Sequence, residues 1–202
     1  AAGRPSRRTI NNNIFQHLEE DPPSPKLMDL KLGNTCNLAC RTCWPEVSSK
    51  WYGDYFKVYD KGPDYREFLS RWKTIQLSYD EGNQVLWRDL KNYLKEVEYI
   101  DIYGAEPLLL ARLNETIKWI ADNELSKHQS LHINTNGTVW DNNNICNLTK
   151  FKHVNLDVSI DGIDKHYDYI RYGETWSTVD SNLTKFQALA YQFKNIELCV
   201  CI

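Results

Sequence analysis

The chain has 202 residues, 42% hydrophobic and 12% aromatic, which is enough apolar material for one packed domain. Its 24 Lys and Arg against 27 Asp and Glu leave a net charge of -3, so nothing favours a polyanionic partner and nucleic acid is not the expected ligand. No run approaches the ~20 apolar residues that cross a bilayer, and the first residues lack a signal peptide's apolar core, so a cytoplasmic protein with no membrane partner is expected.

Residues 1–26 are polar, contain Pro5, Pro22, Pro23 and Pro25, and read as an N-terminal arm or linker with room for one short helix near 14–18. The basic cluster Arg4, Arg7 and Arg8 fits a solvated tail. The domain proper is expected over 27–202. It opens with a strand through Leu27, Met28, Leu30 and Leu32, ended by Gly33. A stretch rich in Trp, Tyr and Lys (46–75) is helical or irregular, and its aromatics between Trp51 and Trp72 suit packing on the domain. Helical spacing returns over 85–97 with Leu86, Leu90, Leu94 and Val97.

From there strand and helix alternate. Strands are expected at 99–103, 131–134, 154–160 and 196–202, with helical patterns at 110–123, 142–151 and 166–193. Such alternation implies parallel strands joined by right-handed crossovers, hence an α/β sheet or barrel. Turn residues follow the first four strands: Gly33-Asn34, Gly104, Asn136-Gly137 and Asp161-Gly162. In a parallel barrel these loops gather on one face, where a ligand can be gripped from several sides. The chain starts at Ala1 and stops at Ile202 inside an apolar, strand-like run, so a fragment is expected.

The loop after the first strand carries Cys36-Asn-Leu-Ala-Cys40-Arg-Thr-Cys43. Three thiolates at this spacing can bind three irons of one iron–sulfur cube, leaving the fourth open. A structural zinc normally takes four ligands, and no further Cys or His lies close by: His17 is in the arm, and the other histidines lie beyond residue 127. Cys199 and Cys201 alternate on a strand and Cys146 sits in a helical pattern, so these three are expected to be core or barrel-lining thiols. No nucleophile–base pair marks the strand ends, which disfavours a barrel hydrolase.

The CxxxCxxC loop resembles the signature of the radical S-adenosylmethionine (SAM) superfamily. Three further strand ends add to the likeness: Tyr103-Gly104-Ala105-Glu106-Pro107, Asn134-Thr135-Asn136-Gly137 and Asp157-Val-Ser159-Ile-Asp161-Gly162. Ser-Ile-Asp-Gly through Ile170-Arg171-Tyr172-Gly173, together with Ser48-Ser49-Lys50-Trp51, is similar to the subfamily with SPASM or shorter twitch extensions. The resemblance covers roughly 27–202 and implies a partial (β/α)6 TIM-like barrel lacking its final strand. It implies a [4Fe–4S] cluster on Cys36, Cys40 and Cys43 whose open iron is chelated by SAM. Reductive cleavage would then give a 5′-deoxyadenosyl radical that abstracts a substrate hydrogen.

The likeness assigns cofactor contacts to Gly104, Ala105 and Glu106 at the methionine ammonium, and to Asn134, Asn136, Ser159 and Asp161 near the nucleoside. Arg171 would clamp the carboxylate. Two positions depart from the family pattern. Ala105 replaces a glycine, and Thr42 stands where an aromatic or Met often covers the adenine, a role Trp44 could take. The implied partners are a reductant such as flavodoxin or ferredoxin and an unidentified substrate, a peptide among the candidates because many relatives modify ribosomally made peptides. The alternative is a non-catalytic iron–sulfur or zinc-binding protein.

Overall fold

A computed structural model describes residues 24–58, 66–67, 70 and 84–201. Five strands, β1 (Leu27–Leu30), β2 (Tyr99–Ile102), β3 (Ser130–Thr135), β4 (His153–Ser159) and β5 (Ile196–Cys201), form one sheet in the order β1-β2-β3-β4-β5. Every pairing is parallel, with Ile100 opposite Leu131 and Leu156 opposite Leu198. Strand order that follows chain order, with crossovers of one hand, puts the connecting helices on one face of the sheet. This is the arrangement of a barrel wall rather than of a doubly wound sheet.

The α-helices with both ends among the described residues are α1 (Tyr52–Val58), α2 (Gln84–Leu94), α3 (Ala111–Asp122), α4 (Asn142–Leu148), α5 (Asp164–Ile170) and α6 (Trp176–Gln192). Each long helix buries one stripe: Trp87, Leu90 and Leu94 on α2, Leu113, Ile117 and Ile120 on α3, and Val179, Leu183 and Phe186 on α6. They meet Ile100, Ile102, Leu131, Ile133, Val154, Leu156 and Val158 from the sheet in one continuous core. Buried Gln129 donates from Nε2 to the Leu94 and Val97 carbonyls at 2.5 and 2.9 Å, satisfying chain groups left over where α2 ends.

The other sheet face is polar. Along β3 and β4 buried and half-buried residues alternate, so Leu131, Ile133, Leu156 and Val158 point to the helices. His132, Asn134, Asn155, Asp157 and Ser159 point to the barrel interior. A parallel strand covered on both faces is apolar throughout, so this alternation separates a helix-covered face from a polar one.

The expected strands match to within one or two residues. The helical pattern expected over 166–193 is instead two helices, broken between Ile170 and Trp176. The break lies where Gly173 takes φ +125° and the chain bonds to the cysteine loop. Cys146 corrects the expectation of a core or barrel-lining thiol: on α4 it is exposed, its Sγ donating to the Asn143 carbonyl at 3.1 Å. The arm helix near 14–18 and most of the aromatic stretch after Val58 lie outside the described residues. No helix among the described residues is long and apolar enough to cross a membrane.

Leu156 lies at the sheet centre, 1% exposed. Leu156→Ala is expected to cost about 2–5 kcal/mol, read by denaturant unfolding, because close-packed neighbours collapse only partly into the space left.

Candidate active site at the strand ends

The cysteine loop leaves β1 and is pinned from three directions. Within itself, Asn34 donates from Nδ2 to the Pro45 carbonyl at 2.9 Å and to the Tyr52 hydroxyl at 2.6 Å. Ser48 Oγ donates to the Leu38 carbonyl at 2.5 Å, and Trp51 Nε1 to the Cys40 carbonyl at 3.0 Å. Leu38, Ala39 and Cys40 are buried. These bonds satisfy a buried, irregular backbone that makes few regular ladder bonds.

The second fastening is the break between α5 and α6. Ala39 N–H donates to the Tyr172 carbonyl at 2.7 Å and Arg41 N–H to the Ile170 carbonyl at 2.8 Å. A Cβ on Gly173 would stand 2.8 Å from the Asn37 carbonyl oxygen, so a glycine is required there by space as well as by φ. The run Ile-Arg-Tyr-Gly thus forms the wall on which the cysteine loop lies.

The third fastening is Glu106, which is 0% exposed. Its N–H donates to the Thr35 carbonyl at 3.0 Å. Its Oε1 accepts from Thr135 Oγ1 at 2.7 Å and from Leu108 N–H at 3.1 Å, and its Oε2 from Asn136 N–H at 2.6 Å. Burial pushes its carboxyl up to about 7, against the downward pull of these three donors. Both oxygens are therefore engaged inside the protein. The turn that presents Glu106 is left-handed at both Gly104 (φ +87°) and Ala105 (φ +54°), which explains the preference for glycine where Ala105 stands.

Asn136 extends this network. Its Nδ2 donates to Asn37 Oδ1 at 3.0 Å and approaches Cys36 Sγ at 3.7 Å, while its Oδ1 accepts from Thr138 N–H and Oγ1. Asn136 is buried and faces the cysteine loop. Asn134 and Ser159 are half-buried neighbours on the inner face, Ser159 Oγ donating to Asn134 Oδ1 at 3.0 Å. Arg171 pairs with Asp161, Nη2 to Oδ2 at 2.9 Å, its side chain 11% exposed and its Nε buried without a partner. Trp44 is half exposed.

Charge at the thiols is uneven. Burial raises Cys36. A hydrogen bond between Cys40 and Cys43 raises Cys40 and lowers Cys43, and the Arg171 guanidinium favours the thiolate at both. Only Asp157, Cys199 and Cys201 among the described residues bring three donor atoms within 4.8 Å of one another. The three loop sulfurs form no such group, although Cys40 and Cys43 lie within hydrogen-bonding reach of each other.

Sequence reasoning brought the cysteine loop, the Gly-Ala-Glu turn, Asn136, Asp161 and Arg171 into one region, where the structure also gathers them. It missed Gly173 as packing partner, Asn34 and Ser48 as buried pins and the inward turn of Glu106. For Asn34 and Ser48 the only signal was a short polar residue in an otherwise buried loop.

The fold and the strand-end loop define a parallel α/β barrel wall carrying a thiol-rich ligand site. The sequence matches the radical SAM superfamily over residues 30–196, and the chain belongs to that superfamily, whose enzymes use a [4Fe–4S] cluster and SAM. Its fold is similar to anSMEcpe solved with bound AdoMet and the Cp18Cys peptide: TM-score 0.52, 18% identity, 89% of this chain and 52% of that one. SuiB of Streptococcus suis aligns with TM-score 0.48 and 13% identity over 87% of this chain and 32% of that one. The chain thus spans about half of the first and a third of the second. No curated protein matches the sequence.

Gly173→Ala is expected to destabilise the fold by about 2 kcal/mol or more, since strain at positive φ adds to the contact with Asn37; denaturant unfolding measures it. Glu106→Gln is expected to cost about 1–3 kcal/mol, because the amide nitrogen would face the N–H of Asn136. Between the usual carboxylate range and about 7 the folded chain keeps a proton at Glu106 that the unfolded chain releases, so stability falls as pH rises through that window. The glutamine variant should lack this component of the slope.

Proposed function

We propose that residues 27–202 are the radical-initiating core of an enzyme in which Cys36, Cys40 and Cys43 hold the [4Fe–4S] cluster and SAM binds across the strand ends. The observation that carries the proposal is the loop itself: three thiols at CxxxCxxC spacing, on a loop fastened to the ends of β2 and β3 and to the α5–α6 break. The donor set fits a cube, which takes thiolates at separate corners, and the guanidinium of Arg171 offsets their charge. Bound together and supplied with one electron, the cluster and SAM provide methionine and a 5′-deoxyadenosyl radical for hydrogen abstraction.

The chain's own residues do the positioning. Gly104 and Ala105 offer backbone carbonyls to the methionine ammonium, since the left-handed turn leaves little side chain there. Glu106, with both oxygens engaged, acts as a positioning residue by tying that turn to Thr135 and Asn136. Asn136 supports the cysteine loop at Cys36 and Asn37. Asn134 and Ser159 offer polar side chains on the inner face for ribose hydroxyls. Asp161 holds Arg171, whose unpartnered Nε is a donor for the methionine carboxylate.

A peptide is the substrate class we favour, supported by a fold neighbour solved with both AdoMet and a peptide. The reductant is of the flavodoxin or ferredoxin kind. Anaerobically reconstituted chain, reduced with dithionite in the presence of SAM, is expected to form 5′-deoxyadenosine, and Cys40→Ala to reduce formation at least about 100-fold. A full cluster with no cleavage would instead favour the iron–sulfur binding protein.

A further inference from the structure

A second donor cluster lies on the inner face, apart from the cysteine loop. Asp157 on β4 is in register with Cys199 on β5, and Ser159 with Cys201, so both thiols project to the side that carries Asp157. Their sulfurs lie 4.0 Å apart, and with a carboxylate oxygen of Asp157 all donor atoms fall within 4.8 Å of one another. Four tetrahedral bonds of about 2.3 Å span edges of about 3.8 Å, so the sulfur pair stands at metal-chelating distance without rearrangement.

A disulfide suits the pair less well. Residues two apart on an extended strand have Cα atoms about 6.6 Å apart, towards the long limit of about 6.8 Å for a disulfide. A second observation points the same way. His132 on β3 reaches Asp157 Oδ2 with Nε2 at 3.2 Å, yet that nitrogen is buried and lacks an aligned hydrogen bond. Its Nδ1 is fixed on Asp101 Oδ1 at 2.8 Å, which sets the ring orientation. An imidazole braced by one carboxylate and set against another is how outer-shell partners orient a metal-binding carboxylate.

We infer that Asp157, Cys199 and Cys201 bind a thiophilic divalent cation of the Zn2+ class, with an open fourth position towards the barrel interior. Two thiolates select zinc-like ions over Mg2+ or Ca2+, which take oxygen ligands. Three protein ligands leave room for water or a substrate group. Within the site Cys201 is level with Ser159, Asp157 and Cys199 lie two residues earlier on their strands, and no residue is shared with the cysteine loop.

Cobalt(II) titration of the 202-residue chain carrying Cys36→Ala, Cys40→Ala and Cys43→Ala tests this without interference from the loop. One equivalent of Co2+ should produce tetrahedral visible bands and a near-ultraviolet thiolate charge-transfer band, displaced by Zn2+. Cys199→Ser or Cys201→Ser should abolish the charge-transfer intensity expected of two thiolates, and Asp157→Asn or His132→Gln should weaken binding at least about tenfold. In the unsubstituted chain, Zn2+ should protect Cys199 and Cys201 from alkylation, mapped by mass spectrometry, while exposed Cys146 stays reactive. Absence of the band together with unprotected Cys199 and Cys201, or a band that survives both serine substitutions, overturns the assignment.

Discussion

The strand ends depend on a carboxylate with no access to water. Glu106 is fully buried, and a buried carboxylate is tolerable only if donors are brought to it. The donors come from Thr135 and Asn136 at the end of β3 and from Leu108 in the helical turn that follows Glu106, while its own N–H reaches the loop after β1. One residue, through its side chain and its own N–H, therefore fixes the relative positions of three neighbouring strand ends. Because it has no spare oxygen, its influence on any ligand passes through Thr135 and Asn136, and through the left-handed Gly104-Ala105 turn it stabilises.

The same logic of fastening explains the α5–α6 break. A continuous helix would have kept the Ile170 and Tyr172 carbonyls for its own ladder; breaking it frees them for Ala39 and Arg41. Gly173 allows the backbones to touch, and Arg171 is left facing the cysteines with Asp161 as its counter-charge. Packing and electrostatics meet in that short run: it shapes the loop and supplies the positive charge that favours thiolates.

Much of this was legible in the sequence, for physical reasons. Period-two and helical apolar patterns located the strands and most helices, and the turn residues after each strand placed the unusual motifs on one face. What escaped was the direction of particular side chains. The likeness aims Glu106 at the methionine ammonium, whereas the structure turns both its oxygens inward to donors at Leu108, Thr135 and Asn136. Gly173 stands in the sequence only as the end of the Ile-Arg-Tyr-Gly motif, because its packing reason is a contact with Asn37, far away in sequence. Cys199 and Cys201 were expected to share a face, but the register that sets them beside Asp157 and His132 is a property of the sheet.

The central claim is that the three loop cysteines hold a SAM-binding [4Fe–4S] cluster. Its most direct test is iron and sulfide analysis with electron paramagnetic resonance on the anaerobically reconstituted, reduced chain. The account predicts about four irons and four sulfides per chain and a reduced-cluster signal that changes on adding SAM. A single bound metal ion, or a cluster signal indifferent to SAM, would contradict it.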